Sequence, residues 1–480
     1  MIRKHIKEEN LVFYFRIAYL LMLMMGNTNL TFQWVGFDII NYAVGFFGIA
    51  LLVLRVIRAR SYTKTPGIVL LAGLVVLYGL SSLWNYSYGG FSGLASNGKA
   101  TIWMACQMFL LYAFDMPSKE ALKKELRVMS WIIVCFNFFS VLVSYGMLLT
   151  NYSKFVMKGD SPIMYGIVYN RLWGTFIEPN YGAVVTVVGA LLSLRLFCEN
   201  KNGWLRAFHV ANMVLSVMYI IYSDSRTGMV VLMVAVVLYS FLTLLYQKLN
   251  DRRRLLPVLA CGLISICIAV GIVGSFAIIK PIGLMPRKAC MQLVSSMGQA
   301  AEKPNADDPD KETKPSDEAL EIGRNEADIN NDISNRRFDI WMSGLEILKE
   351  SPVLGTTFRN LVPFAQKELP DTYIVHNDNK IFWDLHNCLM NVLVCQGIPA
   401  LLLFISFAFI VLKKMFVYFL QKDRLMIGEQ TLLVSALLAI ACGAMFNSMI
   451  MYVSTIETAI FWLFLGYGMQ ICRLKEVEDA

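Results

Sequence analysis

Charge is what this chain has least of: Asp, Glu, Lys and Arg make up 16% of its 480 residues, where a soluble globular chain carries about 25%. Histidine is scarcer, at four. The sequence has no HExxH, no paired-histidine spacing and no zinc-type CxxC pair, so no metal and no other cofactor is expected. Hydrophobic residues make up 56% of the chain, and the mean hydropathy is +0.54. No single soluble core could bury that much apolar surface, which excludes a soluble enzyme and makes the lipid bilayer the first expected partner. The net charge of +8 would suggest nucleic acid, but most of the basic residues lie between apolar runs, where they act as topology signals. No nucleic-acid partner is therefore expected.

Eight of the ten cysteines (Cys106, Cys135, Cys198, Cys261, Cys267, Cys395, Cys442, Cys472) fall within or beside apolar runs and read as free thiols. Cys290 and Cys388 lie nearer a long polar loop and are the one pair for which a disulfide stays open. Arg3, Lys4 and Lys7 precede an apolar run from Leu11 without a small-x-small cleavage site, which reads as a retained first span.

A spanning helix needs about 20 largely apolar residues. Twelve candidate stretches occur, near 11–29, 34–54, 67–86, 98–114, 128–149, 181–198, 204–222, 227–246, 256–279, 398–417, 429–450 and 455–472. The expected fold is an all-α polytopic membrane protein with about twelve transmembrane helices. Loops on the N-terminal side of these spans hold 24 Lys and Arg. The short loops on the other side hold 5, namely Lys99, Lys154, Lys158, Arg171 and Arg226. By the positive-inside rule both termini are cytoplasmic. The organisation expected is nine spans over 1–279, an extracytoplasmic loop over 280–385, and residues 386–480 holding a short helix, the last three spans and a cytoplasmic tail.

Within that loop, 300–332 carries eleven acids against four bases and reads as a solvated, flexible tract. Residues 336–350 differ, because Phe338, Trp341, Leu345 and Leu348 repeat at helical spacing ahead of Pro352. That pattern predicts an amphipathic helix with this face toward lipid or the bundle.

Charges close to the membrane are costly and mark candidate sites. Four stretches on the extracytoplasmic side hold them: Asn170–Asn180 with Arg171, Glu178 and Asn180; Ser223–Gly228 with Arg226; Arg336 and Arg337 at the head of the amphipathic helix; and His386-Asn387. Arginine binds phosphate oxygens through a planar fork and stays charged, so three arginine sites imply an anionic ligand. Each has a plainer reading: Arg226 pairing with Asp224, Arg171 with Glu178, and Arg337 opening an exposed helix. Histidine, whose ordinary pKa of about 6.5 is nearest neutrality, suits proton abstraction from a hydroxyl. Of the four histidines only His376 competes with His386 for that role, and Glu178 is the rival base.

At these positions the chain resembles the O-antigen ligase and Wzy-type polysaccharide polymerase superfamily. His386-Asn387, followed after nine residues by Gly397-Ile398-Pro399-Ala400, is similar to the pattern H-[NSQ]-x9-G-x-x-[GTY], with Ala400 departing at the last position. Arg171-x-x-Gly174 with Glu178-Pro179-Asn180, Ser225-Arg226-Thr227-Gly228, and Arg337-x3-Trp341 with Pro352 and Gly355 agree as well. The resemblance covers roughly 165–410. It implies a glycosyltransferase of a bacterial cytoplasmic membrane, acting at the extracytoplasmic face on a polyprenyl-diphosphate-linked oligosaccharide. The other expected partners are an acceptor glycan or lipid and further glycan-assembly membrane proteins. Carried over by motif, Arg226 and Arg337 hold the diphosphate and His386 deprotonates the acceptor. Arg171, Glu178, Asn180, Arg336, Trp341 and Asn387 line the substrate.

The Ala400 departure points to a polymerase over a ligase. A lipid-linked glycan or anion carrier is the competing class, but no internal repeat of the kind many carriers show is evident. The prominent charges lie at one surface, and the one deeper charge, Arg16, is expected to snorkel.

Overall fold

The structure, a computed structural model, describes residues 8–34, 36–58, 64–158, 161–248, 255–301, 336–377, 381–421 and 425–478. The helices up to the first long connection are α1 (Glu8–Gly26), α2 (Asn29–Phe32), α3 (Phe37–Ile57), α4 (Ile68–Trp84), α5 (Tyr86–Cys106), α6 (Lys119–Leu149), α7 (Pro179–Glu199), α8 (Gly203–Ser223), α9 (Arg226–Lys248), α10 (Leu255–Gly274) and α11 (Phe276–Ala301). After it come α12 (Arg337–Glu350), α13 (Leu361–Glu368), α14 (Cys388–Leu420), α15 (Ile427–Gly443) and α16 (Ile456–Glu478). Among the described residues eight helical stretches are long and apolar enough to cross a membrane: Glu8–Gly26, Phe37–Ile57, Lys119–Leu149, Pro179–Glu199, Gly203–Ser223, Arg226–Tyr246, Pro257–Leu293 and Cys388–Leu420. Ile68–Trp84 and Ile427–Gly443 are shorter apolar helices. The architecture is that of an all-α membrane protein, with one small sheet that the apolar periodicity did not signal.

Several boundaries differ from the sequence reading. The fourth stretch begins earlier, at Tyr86, bends at Gly90 (φ 57°) and ends in a π-helical turn over Gln107–Tyr112. Lys99 therefore lies within a helix and not in a loop. The ninth stretch closes at Gly274, and α11 carries helix on to Ala301, so the long connection does not start at Lys280. The acidic tract lies, from residue 302, outside the described residues. The eleventh stretch stops at Gly443 instead of 450, and residues 444–455 lie outside any helix. All ten cysteines are free, Cys290 and Cys388 included.

The chain divides into two compact units. The first is Met1–Gly26, Trp34–Ser130 and Ser334–Ala480, and the second is Asn27–Gln33 and Trp131–Ile333. In the first unit α4 packs on α14, α1 on α3, and α16 on α15 and the π-helical turn. That turn leaves carbonyls without helical donors, and side chains supply them. Arg16 Nε donates to Leu110 O at 3.0 Å, Arg55 to Phe109 O and Ala113 O, and Gln470 to Phe114 O. Arg16 does not snorkel. It is 3% exposed, lies 2.5 Å from Glu125 Oε1 and stacks over the Phe114 ring at 3.6 Å. Tyr467 Oη donates to the same carboxylate oxygen at 2.9 Å. A buried charge costs several kcal/mol unless paired and hydrogen-bonded, and this pair meets both conditions.

The connection before α14 builds a core of its own: Ile340 and Ile347 of α12 pack with Leu361, Phe364 and Ala365 of α13, and with Ile374, Leu385 and Val394. The helix expected over 336–350 is present, but its buried stripe is Ile340, Ser343, Gly344 and Ile347. The stripe expected from spacing is the outer one: Phe338 and Leu345 are exposed, while Trp341 and Leu348 are half-buried.

In the second unit a buried polar network ties helices together. Asn137 of α6 donates to Asn212 Oδ1 and Ser216 Oγ of α8, both at 2.9 Å, and Asn212 donates to Ser193 Oγ of α7 at 2.7 Å. Such bonds between spanning helices are worth about 0.6–2 kcal/mol each. The sheet belongs to this unit. β1 (Ser153–Lys158), β2 (Ser161–Val168) and β3 (Arg171–Gly174) are antiparallel in the order β1-β2-β3. Tyr169 and Asn170 form the β2–β3 turn with φ of 51° and 53°, the two left-handed residues that a two-residue hairpin requires.

Candidate active site

In the first unit the site is built around the start of α14. Asn387 caps that helix, its side chain accepting from Met390 N at 3.0 Å, and this satisfies one of the amides a helix start leaves open. Its Nδ2 donates to Met445 O at 3.1 Å, and Cys388 N donates to Ala444 O at 2.8 Å. The start of α14 is thus pinned to the non-helical segment after Gly443. Arg337 is pinned to the same segment, with Nε donating to Phe446 O at 3.3 Å and its guanidinium 5.7 Å from the Phe446 ring centroid. His386 and Arg337, distant in sequence, are therefore both held by residues 444–448.

His386 has a positive φ of 48° and is half-exposed. Its Nδ1 lies 2.9 Å from Asp384 Oδ1, and its backbone N–H donates to that oxygen at 2.7 Å. Burial pushes the Asp384 carboxyl up, but hydrogen bonds and charge from His386, with a further bond from Ser448, outweigh this and hold it below the usual carboxylate range. With the carboxylate on Nδ1, that nitrogen carries the ring proton and Nε2 is the acceptor. Asp384 is the residue that the sequence reading missed. The signal was Asp-x-His, a spacing that becomes informative only once a left-handed residue folds the carboxylate back. His376 is exposed.

Behind His386, Asn391 Oδ1 accepts from Leu385 N and its Nδ2 donates to Ser448 Oγ at 2.7 Å. Trp341 Nε1 donates to Leu385 O at 3.0 Å, so this tryptophan braces the histidine segment. Arg336 points elsewhere: it is exposed and lies 3.6 Å from Asp339.

The remaining motif residues are structural partners of one another. Gly397 interrupts α14 with φ 81° and ψ 177°. The loop 352–357 takes up the hydrogen bonds this break releases, through Ile398 N to Pro352 O at 2.8 Å, Thr356 N to Val394 O at 3.1 Å and Thr357 N to Cys395 O at 2.8 Å. A Cβ at Gly397 would overlap the backbone of Val353 and Pro352, and one at Gly355 (φ 64°) would meet Cys395 and Gln396 backbone. Ala400 is fully buried.

The second unit gathers another set. The β2–β3 hairpin presents Arg171, whose Nε donates to Ser223 O at 2.9 Å. Glu178 caps α7: Oε2 accepts from Asn180 N at 2.9 Å and Tyr181 N at 3.0 Å, and Oε1 accepts from Asn180 Nδ2 at 2.6 Å. Asn180 Oδ1 in turn accepts from Ser225 Oγ at 2.8 Å, and Ser225 Oγ accepts from Gly228 N at 2.9 Å. Arg226 is thereby set, half-buried, on the first turn of α9, where helix amides favour an anion. Arg171, Glu178, Asn180 and Arg226 come together as one constellation. Its carboxylate serves as a cap, which leaves it poorly placed to act as a base.

No curated protein matches the chain. The O-antigen ligase family matches residues 211–405, a stretch that contains Arg226, Arg337, Trp341 and His386 but not Arg171, Glu178 or Asn180. With the H-N-x9-G pattern, the loop that seats its glycine and the arginine-bearing helix starts in place, this match supports a likeness of residues 211–405 to the O-antigen ligase and Wzy-type polymerase superfamily.

Proposed function

We propose that the protein transfers an oligosaccharide from a polyprenyl diphosphate donor to a glycan hydroxyl at the extracytoplasmic face of a bacterial cytoplasmic membrane, extending a surface polysaccharide. The reading takes the twelve-span topology with both termini cytoplasmic from the asymmetry of Lys and Arg. In the reaction the acceptor hydroxyl gives its proton to His386 Nε2 while its oxygen bonds to the anomeric carbon. The bond from that carbon to the diphosphate oxygen breaks, and the lipid diphosphate leaves with one more negative charge. Arg337 stabilises that charge, because a fixed guanidinium costs no reorganisation as charge develops. The matching role of Arg226, which belongs to the other unit, rests on the resemblance alone.

The observation that carries the reading is the Asp384–His386 contact of 2.9 Å, which orients the ring so that Nε2 is free to accept a proton. A polymerase is preferred to a ligase on the Ala400 departure. The test is reconstitution of the full chain with a polyprenyl-diphosphate oligosaccharide from its host, with chelator present. A product ladder spaced by one repeat, absent with His386→Ala, supports the polymerase. A single addition to a supplied foreign acceptor favours the ligase. Donor left unchanged by a folded protein overturns both and favours the carrier.

A further inference from the structure

A groove runs between α3 and α5 in the first unit, a cavity of about 570 Å³. Its walls are Tyr42, Gly45 and Phe46 on α3 and Gly98, Lys99 and Trp103 on α5. Missing side chains make the space. A Cβ on Gly98 would meet nothing within 4 Å, and one on Gly45 would approach only Trp103, at 3.6 Å. Tyr42 and Phe46 are 61% and 69% exposed, on a helix long and apolar enough to cross a membrane, so hydrocarbon is the natural cover for this wall. The lining is not wholly apolar: Asn41 and Ser96 contribute to it, and one of its residues is charged. Lys99 sits on it with its ammonium 5.7 Å from the Tyr42 ring centroid, and no carboxylate pairs with it among the described residues. The ring offsets part of the cost of a cation at a lipid-facing position. A phosphate oxygen would offset more.

We infer that this groove binds an anionic phospholipid of the surrounding bilayer, with one acyl chain along the glycine-lined floor and the headgroup phosphate on Lys99. A polyprenyl phosphate presents the same chemistry. The bilayer's own phospholipid is the phosphate-bearing chain at highest concentration around a lipid-facing groove, and mass action favours it. The groove needs no part in glycan transfer, so this inference does not depend on the proposed activity.

The test is native mass spectrometry of the full-length protein released from mixed micelles, titrated with phosphatidylglycerol or phosphatidylcholine. Wild-type protein is expected to retain phosphatidylglycerol about fivefold over phosphatidylcholine, the preference that one lysine near a membrane surface supplies. Lys99→Gln removes that preference and Lys99→Glu inverts it toward phosphatidylcholine. Both changes are at an exposed side chain and leave packing intact. Gly98→Leu fills the groove and lowers retention of both lipids. Equal phosphatidylglycerol retention by wild type and Lys99→Gln overturns the inference. So does displacement of phosphatidylglycerol by an equal concentration of undecaprenyl phosphate, which would assign the groove to a polyprenyl chain.

Discussion

Asp384 accepts from both the ring and the backbone of His386, and this arrangement has consequences that can be measured. His386→Ala is expected to lower the transfer rate by about 10²–10⁴-fold, the usual contribution of a positioned base, in a protein that still folds but has lost the ring's support of Asp384. Asp384→Asn allows the amide to donate to Nδ1 and leaves the ring proton on Nε2, the wrong tautomer for a base. A loss on the order of 10²-fold or more follows. The carboxylate also sets a pH dependence of stability. The folded carboxyl lies below its usual range, so its contribution is present above that range and is lost as pH falls through the lowered folded value. Thermal melts from pH 7 to pH 3 should show this loss in wild type and not in Asp384→Asn.

At the scale of the element, capping and close approach explain residues that a motif alone would count as chemistry. Glu178 holds two amides at the start of α7 and the Asn180 side chain. Glu178→Gln keeps a capping oxygen, so it is expected to retain most activity, while Glu178→Ala costs about 1 kcal/mol of stability. Loss of transfer in Glu178→Gln with an unchanged melting temperature would restore this residue as the base. Gly397 answers to geometry, with φ at 81° and the Pro352–Val353 backbone against it. Gly397→Ala is expected to cost at least about 2 kcal/mol, from strain plus overlap, seen as a lower melting temperature and poor recovery of folded protein. α14 begins at Cys388, ten residues before the expected 398, whereas the starts of α7 and α9 were legible to within two residues. The end of α15 was not, because Ala444, Met445 and Phe446 continue the apolar run of the helix before them. The chain leaves the helix there so that the Ala444, Met445 and Phe446 carbonyls can receive Cys388, Asn387 and Arg337. Those partners are 58 and 109 residues away along the chain in the last two cases.

At the scale of the whole molecule, the membrane location shows in composition, and the pairing of buried charges does not. Arg16 and Glu125 are 109 residues apart and bonded at 2.5 Å. Removing either partner strands the other, so Arg16→Met and Glu125→Gln are each expected to destabilise by about 3–5 kcal/mol, while the apolar double variant Arg16→Met with Glu125→Leu recovers most of the loss. Thermal unfolding in detergent, with the single and double variants side by side, would show this coupling. The sequence by itself determined the solvent, the helical class and the presence of the motif residues. Apolar content, 3.6-residue spacing and the placement of basic loops are local properties, and each element carries them alone. Only the tertiary structure decided which charges are structural and which are available for chemistry. It made Arg16 a buried partner, Glu178 a cap, Gly397 a seat for a loop and Asp384 the residue that orients His386. The physical reason is that a polar group's role depends on what desolvates it and what donates to it. Those groups come from elements that the chain brings together only on folding.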